Sequence, residues 1–155
     1  MNDYGLLIEQ AKAFAEDSTW DITLYANISA LLFESLEDLN WAGFYLMRDG
    51  ELVLGPFQGK TACMRIPVGK GVCGTAVKEN RIIRVDDVHL FNGHIACDCA
   101  SESEIVLPLH HDGKIIGVLD IDSPVKSRFS MEDEEGLSEL VKVIENWFVC
   151  FNNIL

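Results

Sequence analysis

Apolar residues recur at helical spacing near both ends of the chain. The first stripe predicts a helix from Tyr4 to about Asp17, and the next predicts a helix from Trp20 to Leu36. A third stripe, which begins after Ser130, predicts a long C-terminal helix. Two serine–aspartate pairs have the spacing of helix caps: Ser18 with Asp21, and Ser130 with Asp133.

Between these helices the apolar residues form short runs that are typical of strands. Turns containing Asp49-Gly50 and Asp112-Gly113 predict two antiparallel hairpins, and a short glycine-started helix is expected from Gly69 to Asn80. The pattern predicts an α+β fold, with an antiparallel sheet and the N- and C-terminal helices packed on one of its faces. The six predicted strands are 41–47, 52–54, 64–67, 81–85, 105–109 and 114–121.

The segment from Asp86 to Ser103 interrupts this regular order. It has no clear periodicity, is longer than most connections, and carries histidine, cysteine and glycine residues. Long irregular segments in small domains frequently carry functional residues, so we expect a functional loop here.

Composition narrows the class of protein further. The 155 residues include 25 acidic and 12 basic side chains, for a net charge of −13. Such a charge disfavours nucleic acid and anionic membranes as partners. We expect a cytoplasmic protein, because the first residues lack the pattern of a signal peptide and no apolar run has the length of a membrane span. The five cysteines are therefore expected to form transient rather than permanent disulfides.

Acidic residues occur where an apolar strand would be expected. Side-chain alternation puts Asp120 and Asp122 on the same face of the last predicted strand. If the preceding strand pairs with it in a hairpin, Glu104 lies close to both. Three carboxylates in one concavity repel each other, so at least one of them is expected to have a raised pKa. A solvated end of the sheet is the alternative interpretation.

The cysteines are a second set of candidate reactive groups. A thiol needs a helix N-terminus, a cation or hydrogen-bond donors to become a thiolate near neutral pH. Cys73 lies close to a predicted helix start, Cys97 lies in the long segment near His94, and Cys63 precedes a short strand. Each of them could equally be a small buried side chain. Cys150, on the last helix, is expected to be one.

Seven strings of the sequence together resemble the free methionine-(R)-sulfoxide reductases, enzymes built on a single GAF domain. The resemblance extends from about residue 4 into the C-terminal helix, and implies one GAF domain over residues 1–155 with its site under loops on the face opposite those two helices. The strings are residues 40–45 (NWAGFY), 54–59 (LGPFQG), 65–67 (RIP), 71–76 (GVCGTA), 93–98 (GHIACD), 103–105 (SEI) and 117–123 (GVLDIDS).

The resemblance implies a thiol-dependent reduction of free methionine (R)-S-oxide. By similarity Cys97 is the nucleophile, and its attack on the sulfoxide sulfur leaves a sulfenic acid that a second thiol converts to a disulfide. Cys63 is the first choice for this resolving thiol, and Cys73 is the next choice or a relay. The family implies thioredoxin as reductant and no bound cofactor or metal. Because its members are often dimers, a homodimer is included among the expectations.

The same resemblance assigns residues to the substrate. Glu104, Asp120 and Asp122 would bind and polarise it, whereas Trp41 and Tyr45 would form an aromatic wall around its S-methyl group. Free methionine sulfoxide carries an ammonium group that carboxylates can pair, and a peptide-bound residue does not. Without the resemblance, Trp41 and Tyr45 would be interpreted as core residues.

Two other functions are compatible with parts of the pattern. A zinc site is the first, although the spacing of its ligands does not form a Cys-x-x-Cys pair. The second is a non-enzymatic sensor of a small ligand or of redox state, because the same fold also serves as a binding module. Cys99 departs from the family pattern, in which a small polar residue is expected, and leaves a second choice of resolving thiol. The zinc ligands would be His89, His94, Cys97 and Cys99.

Overall fold

Six antiparallel strands form one sheet, and four α-helices pack on its two faces. A computed structural model describes residues 2–93 and 100–152 of the chain. The helices are α1 (Tyr4–Asp17), α2 (Asp21–Ser35), α3 (Gly71–Glu79) and α4 (Met131–Asn152). The strands are β1 (Trp41–Arg48), β2 (Glu51–Gly59), β3 (Arg65–Pro67), β4 (Ile83–Val85), β5 (Ser103–His111) and β6 (Lys114–Ser123), and a 3-10 helix covers Val88–Leu90.

The strands are ordered β3-β2-β1-β6-β5-β4 in the sheet. Both predicted hairpins are present, joining β1 to β2 and β5 to β6. Their turn residues Asp49, Gly50, Asp112 and Gly113 all have positive φ, at 50°, 82°, 51° and 73°. Asp and Gly tolerate this left-handed backbone, which matches the twist of the paired strands. The expected α+β architecture is therefore confirmed.

One face of the sheet is covered by α1, α2 and α4. Apolar side chains from these helices form a continuous core with strand residues such as Phe44, Leu107, Leu119 and Ile121, all of which are at most 1% exposed. This burial is the main favourable contribution to folding, at about 25 cal/mol per Å² of apolar surface removed from water. The N- and C-terminal helices thus share one face, as expected.

The opposite face carries α3 and a smaller apolar cluster. Trp41, Tyr45 and Val118 lie in this cluster together with Cys73 of α3. The alternation predicted for β6 is confirmed, because Val118 is on this face whereas its neighbours Leu119 and Ile121 belong to the core under the helices. This second face is where polar groups are buried.

The two predicted helix caps have different outcomes. Ser130 and Asp133 form a reciprocal cap at the start of α4, with Ser130 N donating to Asp133 Oδ2 at 2.8 Å and Asp133 N donating to Ser130 Oγ at 3.2 Å. The pairing of Ser18 with Asp21 is wrong. Ser18 instead ends α1, where its hydroxyl donates to the carbonyl of Phe14 at 2.7 Å.

Strand β2 is longer than predicted, since it continues past Leu54 to Gly59. Pro56 cannot donate a backbone hydrogen bond, which is why the sequence pattern there does not indicate a strand. Proline is accommodated because β3 pairs only with residues 51–53 of β2, so the edge beyond them is not part of that ladder. No helix in the two described ranges combines the length and apolar character that crossing a bilayer requires.

Candidate functional site

Three carboxyl groups meet on the face of the sheet opposite α1, α2 and α4. In the β5–β6 hairpin, Glu104 pairs directly with Asp122 and Val106 pairs with Asp120. Side chains of directly and diagonally paired residues on one face are neighbours, so the register brings all three acids together. Glu104 and Asp120 are buried, at 6% and 5% exposure, and Asp122 is half-buried. The predicted clustering of these acids is confirmed.

The thiol of Cys73 lies against two of these acids. Its Sγ is 4.0 Å from Oε1 of Glu104, and one donor atom from each of Cys73, Glu104 and Asp120 lies within 4.8 Å of the others. Helix α3 brings the thiol to the sheet, and Cys73 itself is only 3% exposed. The site therefore combines a buried thiol with two buried carboxyl groups.

Burial decides the protonation of this cluster. It raises the pKa of Glu104 well above its usual range, and the neighbouring Asp120 and Asp122 raise it further. Burial also raises the pKa of Asp120, although hydrogen bonds from Glu104 and Cys73 oppose the shift. We therefore assign the shared proton to Glu104, which donates it in a hydrogen bond to Asp120. The predicted raised pKa is confirmed.

Cys73 does not have the environment of a reactive thiolate. Burial, followed by the neighbouring acids Asp120 and Glu104, raises the pKa of its thiol well above the ordinary value. Of the two interpretations that the sequence leaves open, the structure agrees with a small buried side chain, because desolvation and two carboxyl groups outweigh the partial charge of a short helix. Cys73 stays protonated near neutral pH and is a poor nucleophile.

One oxygen of Asp120 has an unused hydrogen-bonding capacity. Oδ1 is buried and has no partner among the described residues. A buried carboxylate oxygen without a donor is costly, typically by about 1–3 kcal/mol or more. Such an atom marks a position where a ligand that brings a donor would be stabilised.

Aromatic rings border the carboxyl groups on strand β1. Trp41 pairs with Asp122 across the β1–β6 ladder, and its ring lies 5.8 Å from that of Tyr45. Phe57 of β2 also stacks on Trp41, with 5.1 Å between ring centroids. Phe57 joins this aromatic group although the sequence pattern does not indicate it, because the pattern predicts that the strand ends at Leu54.

Gly43 allows β2 to approach this aromatic group. A Cβ at Gly43 would lie 2.3 Å from Cβ of Phe57 and 2.9 Å from the carbonyl oxygen of Pro56. The β1–β2 register also shifts between Gly43 and Tyr45. A side chain at position 43, which pairs with Asp120 on the other side of β1, would displace the stacked rings.

Hydrogen bonds from two aromatic side chains hold the segment that contains Cys63. The hydroxyl of Tyr45 donates to the carbonyl of Cys63 at 2.9 Å, and Nε1 of Trp41 donates to the carbonyl of Lys60 at 3.1 Å. Cys63 is half-buried and disulfide-bonded, whereas Cys73 and Cys150 are free thiols. The predicted resolving cysteine thus belongs to a disulfide next to the aromatic wall.

Three residues with predicted roles lie outside the described residues, namely Cys97, Cys99 and His94. Their roles stay predictions. Cys150 is exposed on α4, which contradicts the expectation that it is a buried side chain.

A second group of possible metal ligands lies at the base of the long segment. Asp87, His89 and Glu102 each offer an atom within 4.8 Å of the others. The charge of Asp87 is already compensated, because Nζ of Lys126 lies 3.1 Å from its carboxylate. The imidazole of His89 lies 3.4 Å from Glu102. Lys126 would repel a cation at this position.

A comparison with protein families identifies the architecture. The family model described as GAF domain matches residues 26–146. A curated protein of Escherichia coli, the free methionine-R-sulfoxide reductase, is 60% identical over 142 residues, which cover 92% of this chain and 86% of that protein. The chain belongs to the GAF-domain family of free methionine-R-sulfoxide reductases.

Solved structures agree with this family. The reductase of Staphylococcus aureus in complex with substrate is 54% identical, with a TM-score of 0.91 and coverage of 95% of this chain and 96% of that one. The substrate complex of the free methionine-R-sulfoxide reductase from Neisseria meningitidis is 42% identical, with a TM-score of 0.93 and coverage of 98% and 92%. Members of the family thus bind substrate on the fold described above.

Proposed function

We propose that this protein reduces free methionine (R)-S-oxide to methionine through a cysteine sulfenic acid and a disulfide. The observation that carries the proposal is the buried carboxyl cluster beside Trp41, in a chain 60% identical to the free methionine-R-sulfoxide reductase of Escherichia coli. A sulfoxide needs both a thiolate that attacks sulfur and an acid that protonates oxygen, and a carboxyl group kept protonated by burial supplies the acid.

Charge explains why the substrate would be a free amino acid. Its ammonium group would pair with the carboxylates of Asp120 and Asp122, and would satisfy the unpaired Oδ1 of Asp120. A methionine sulfoxide within a peptide has no ammonium group and would leave this oxygen buried without a donor. The S-methyl group would lie against Trp41 and Tyr45, whose rings offer apolar surface.

Glu104 is the proposed proton donor to the sulfoxide oxygen. Burial and the neighbouring acids raise its pKa well above the usual range, so that it carries a proton near neutral pH. Transfer of this proton makes the sulfoxide oxygen a better leaving group as the S–O bond breaks. Glu104 then regains a proton from solvent before the next cycle.

Cys97 is the proposed nucleophile and Cys63 the resolving thiol. The Cys97 thiolate attacks the sulfoxide sulfur while Glu104 protonates its oxygen, and as the S–O bond breaks this oxygen is transferred to the Cys97 sulfur. Methionine is released and Cys97 is oxidised to a sulfenic acid. Attack of the Cys63 thiol on this sulfenic acid forms a disulfide and releases water. The disulfide found at Cys63 supports this choice over Cys73, whose raised pKa makes it a poor nucleophile. Thioredoxin would then reduce the disulfide and itself become oxidised.

Two cysteine variants test the proposed cycle. With free methionine (R)-S-oxide, Cys97→Ser is expected to form no methionine, because the attacking thiol is absent. Cys63→Ser is expected to form about one methionine per protein and then stop with a sulfenic acid, because the first step needs no resolving thiol. Quenched-flow measurement of methionine, with mass spectrometry of the protein, checks both.

Cys150→Ser is the matched control, since this thiol is exposed on α4. It should turn over at the unsubstituted rate. Equal multiple turnover in Cys97→Ser and Cys63→Ser would refute the assignment of both residues. Tight binding of the sulfoxide without any methionine formation by the unsubstituted protein would instead indicate a ligand sensor.

A further inference from the structure

The charges of this acidic protein are unevenly distributed along the chain. Residues 52–78, the basic segment, contain four cations and no acid, namely Lys60, Arg65, Lys70 and Lys78. Since the chain has 12 cations and 25 acids, the remainder holds eight cations against 25 acids, a charge of −17. Cys63 lies inside the basic segment.

The basic segment is exposed around Cys63. Lys60, Arg65 and Lys70 all have exposed side chains, and Arg65 is paired with Glu51 at 2.6 Å. Lys60 and Lys70 form no ion pair with any residue that the structure describes. Because Lys60 lies three residues before Cys63, the two Cα atoms are within about 11 Å of each other.

An exposed apolar side chain adjoins the same cysteine. Met64 is 77% exposed, although the residues on either side of it in the segment, Cys63 and Ile66, pack against the apolar cluster of this face. Methionine is flexible and polarizable, so it adapts to the surface of a partner, and both Met and Arg are enriched at protein interfaces. A single exposed apolar residue is ordinary, but its position beside the disulfide is informative.

The backbone at this position is rigidly held at the rim of the sheet. The carbonyl of Cys63 accepts from Tyr45, and the carbonyl of Met64 accepts from Leu54 N at 2.9 Å. The segment leads into β3, which is one of the two edge strands of the sheet. The exposed side chain of Met64 is therefore held in a fixed position next to Cys63 and this edge of the sheet.

We propose that Met64, Lys60 and Lys70 form the docking surface for an acidic protein dithiol that reduces the disulfide of Cys63. The inference rests on the proposed reduction cycle and deepens it by naming the surface and the charge of the reductant. The proposed substrate contacts are made by Asp120, Asp122 and the aromatic rings on the buried face, and they assign no role to the exposed side chains of Lys60, Met64 and Lys70. A negatively charged protein is repelled by the rest of the chain and attracted to this segment, which orients the encounter.

The reduction step follows from this geometry. A thiolate of the docked protein attacks the sulfur of Cys63, a mixed disulfide forms, and the former partner sulfur of Cys63 leaves and takes up a proton. The second thiol of the reductant attacks the mixed disulfide and frees the Cys63 thiol. Two electrons thus pass from the dithiol, which becomes a disulfide, to the protein.

Charge reversal on the basic segment tests the docking surface. The double variant Lys60→Glu/Lys70→Glu is compared with Lys12→Glu/Lys142→Glu, which makes the same charge change at exposed positions on α1 and α4. Methionine formation from saturating free (R)-sulfoxide is measured with increasing amounts of a net-negative thioredoxin, and separately with dithiothreitol. Met64→Ser, which removes the apolar contact without a change of charge, is the second variant.

The two reductants separate docking from chemistry. At low salt the KM for thioredoxin is expected to rise about tenfold in the basic-segment variant and less than about twofold in the control, with the difference shrinking at high salt. Rates with dithiothreitol should be the same in all variants as in the unsubstituted protein. Met64→Ser should raise the KM for thioredoxin without a change in the rate with dithiothreitol.

Two results would overturn the docking surface. One is the same KM for thioredoxin in both double variants and in Met64→Ser. The other is an equal loss of rate with dithiothreitol, because the effect would then lie in the active site. Absence of methionine formation with dithiothreitol in the unsubstituted protein would instead refute the reduction cycle, and the docking inference with it.

Discussion

A buried carboxyl group with a raised pKa makes the stability of a protein depend on pH. In the folded protein the pKa of Glu104 is raised well above its ordinary value, whereas in the unfolded chain its pKa is about 4.3. Between these two values the folded state binds more protons. Stability is therefore highest below about pH 4.3 as far as this group is concerned, and it falls as pH rises through the raised pKa.

Glu104→Gln removes this dependence. The amide resembles the protonated acid and still donates a hydrogen bond to Asp120, so the free energy of unfolding of the variant should match that of the unsubstituted protein near pH 4 and exceed it near pH 9. Each unit by which the pKa is raised corresponds to about 1.4 kcal/mol. Urea unfolding at several pH values checks this, with the exposed Glu135→Gln as control. If the free energy of unfolding declined equally with pH in Glu104→Gln and in the unsubstituted protein, the protonation assigned to Glu104 would be contradicted.

The same substitution should be severe for activity. An amide cannot transfer a proton to the sulfoxide oxygen, and loss of general acid catalysis typically lowers a rate by about 10²–10⁴-fold. The rate constant for methionine formation in a single turnover measures this step without the reductant. A rate within about threefold of the unsubstituted protein would exclude Glu104 as the proton donor.

At this scale the sequence was informative where geometry is regular. The two-residue turn at Asp112 and Gly113 joins β5 to β6, and side-chain alternation puts Asp120 and Asp122 on one face. The pairing of Glu104 with Asp122 also depends on a register shift between Leu109 and His110, which the sequence pattern does not indicate. The contact of Cys73 with Glu104 was not predicted, because it joins α3 to the sheet through tertiary packing that no local pattern encodes.

Helix α4 depends on one aspartate that connects distant parts of the chain. Oδ1 of Asp133 accepts from the hydroxyl of Tyr4 at 2.7 Å, and Oδ2 lies 3.1 Å from Nη1 of Arg128. Burial opposes its ionisation, but hydrogen bonds from Ser130 and Tyr4 and the charge of Arg128 lower its pKa overall. The carboxylate of Asp133 thus caps α4, forms a buried ion pair with Arg128 and connects α4 to α1 through Tyr4.

Asp133→Ala should therefore destabilise the protein by about 3–5 kcal/mol, as expected when one partner of a buried ion pair is removed. The exposed neighbour Glu132→Ala should change stability by less than about 0.5 kcal/mol. Because the pKa of Asp133 is lowered, its contribution is present above the ordinary value and is lost as pH falls through the lowered pKa. Thermal unfolding at neutral and acidic pH checks both statements. Similar losses in the two variants would contradict this role.

Elements were predicted well where several signals agreed and less well where they conflicted. The start of α4 has an apolar stripe, a capping pair and acidic residues in its first turn. At Ser18 two helices adjoin, and its side chain bonds backward to Phe14, which spacing alone does not distinguish from a forward cap. In β2, Gly55 and Pro56 interrupt the strand pattern, so Phe57 and its stacking on Trp41 were missed.

In the whole molecule the two faces of the sheet have different roles. The face under α1, α2 and α4 holds the large apolar core, whereas the opposite face buries the thiol and carboxyl groups. The polar cluster costs stability, as buried charges generally do, and the core compensates for it. Substitutions such as Asp122→Asn should consequently affect activity far more than folding.

The preference of the protein for a free amino acid over a peptide-bound one can be measured by comparing three substrates. NADPH consumption is followed with thioredoxin and thioredoxin reductase, using free methionine (R)-sulfoxide, free methionine (S)-sulfoxide and a peptide that contains methionine sulfoxide. The account predicts sustained consumption with the free (R) form and none above background with the other two. Equal rates with the peptide, or no consumption with the free (R) form, would contradict it.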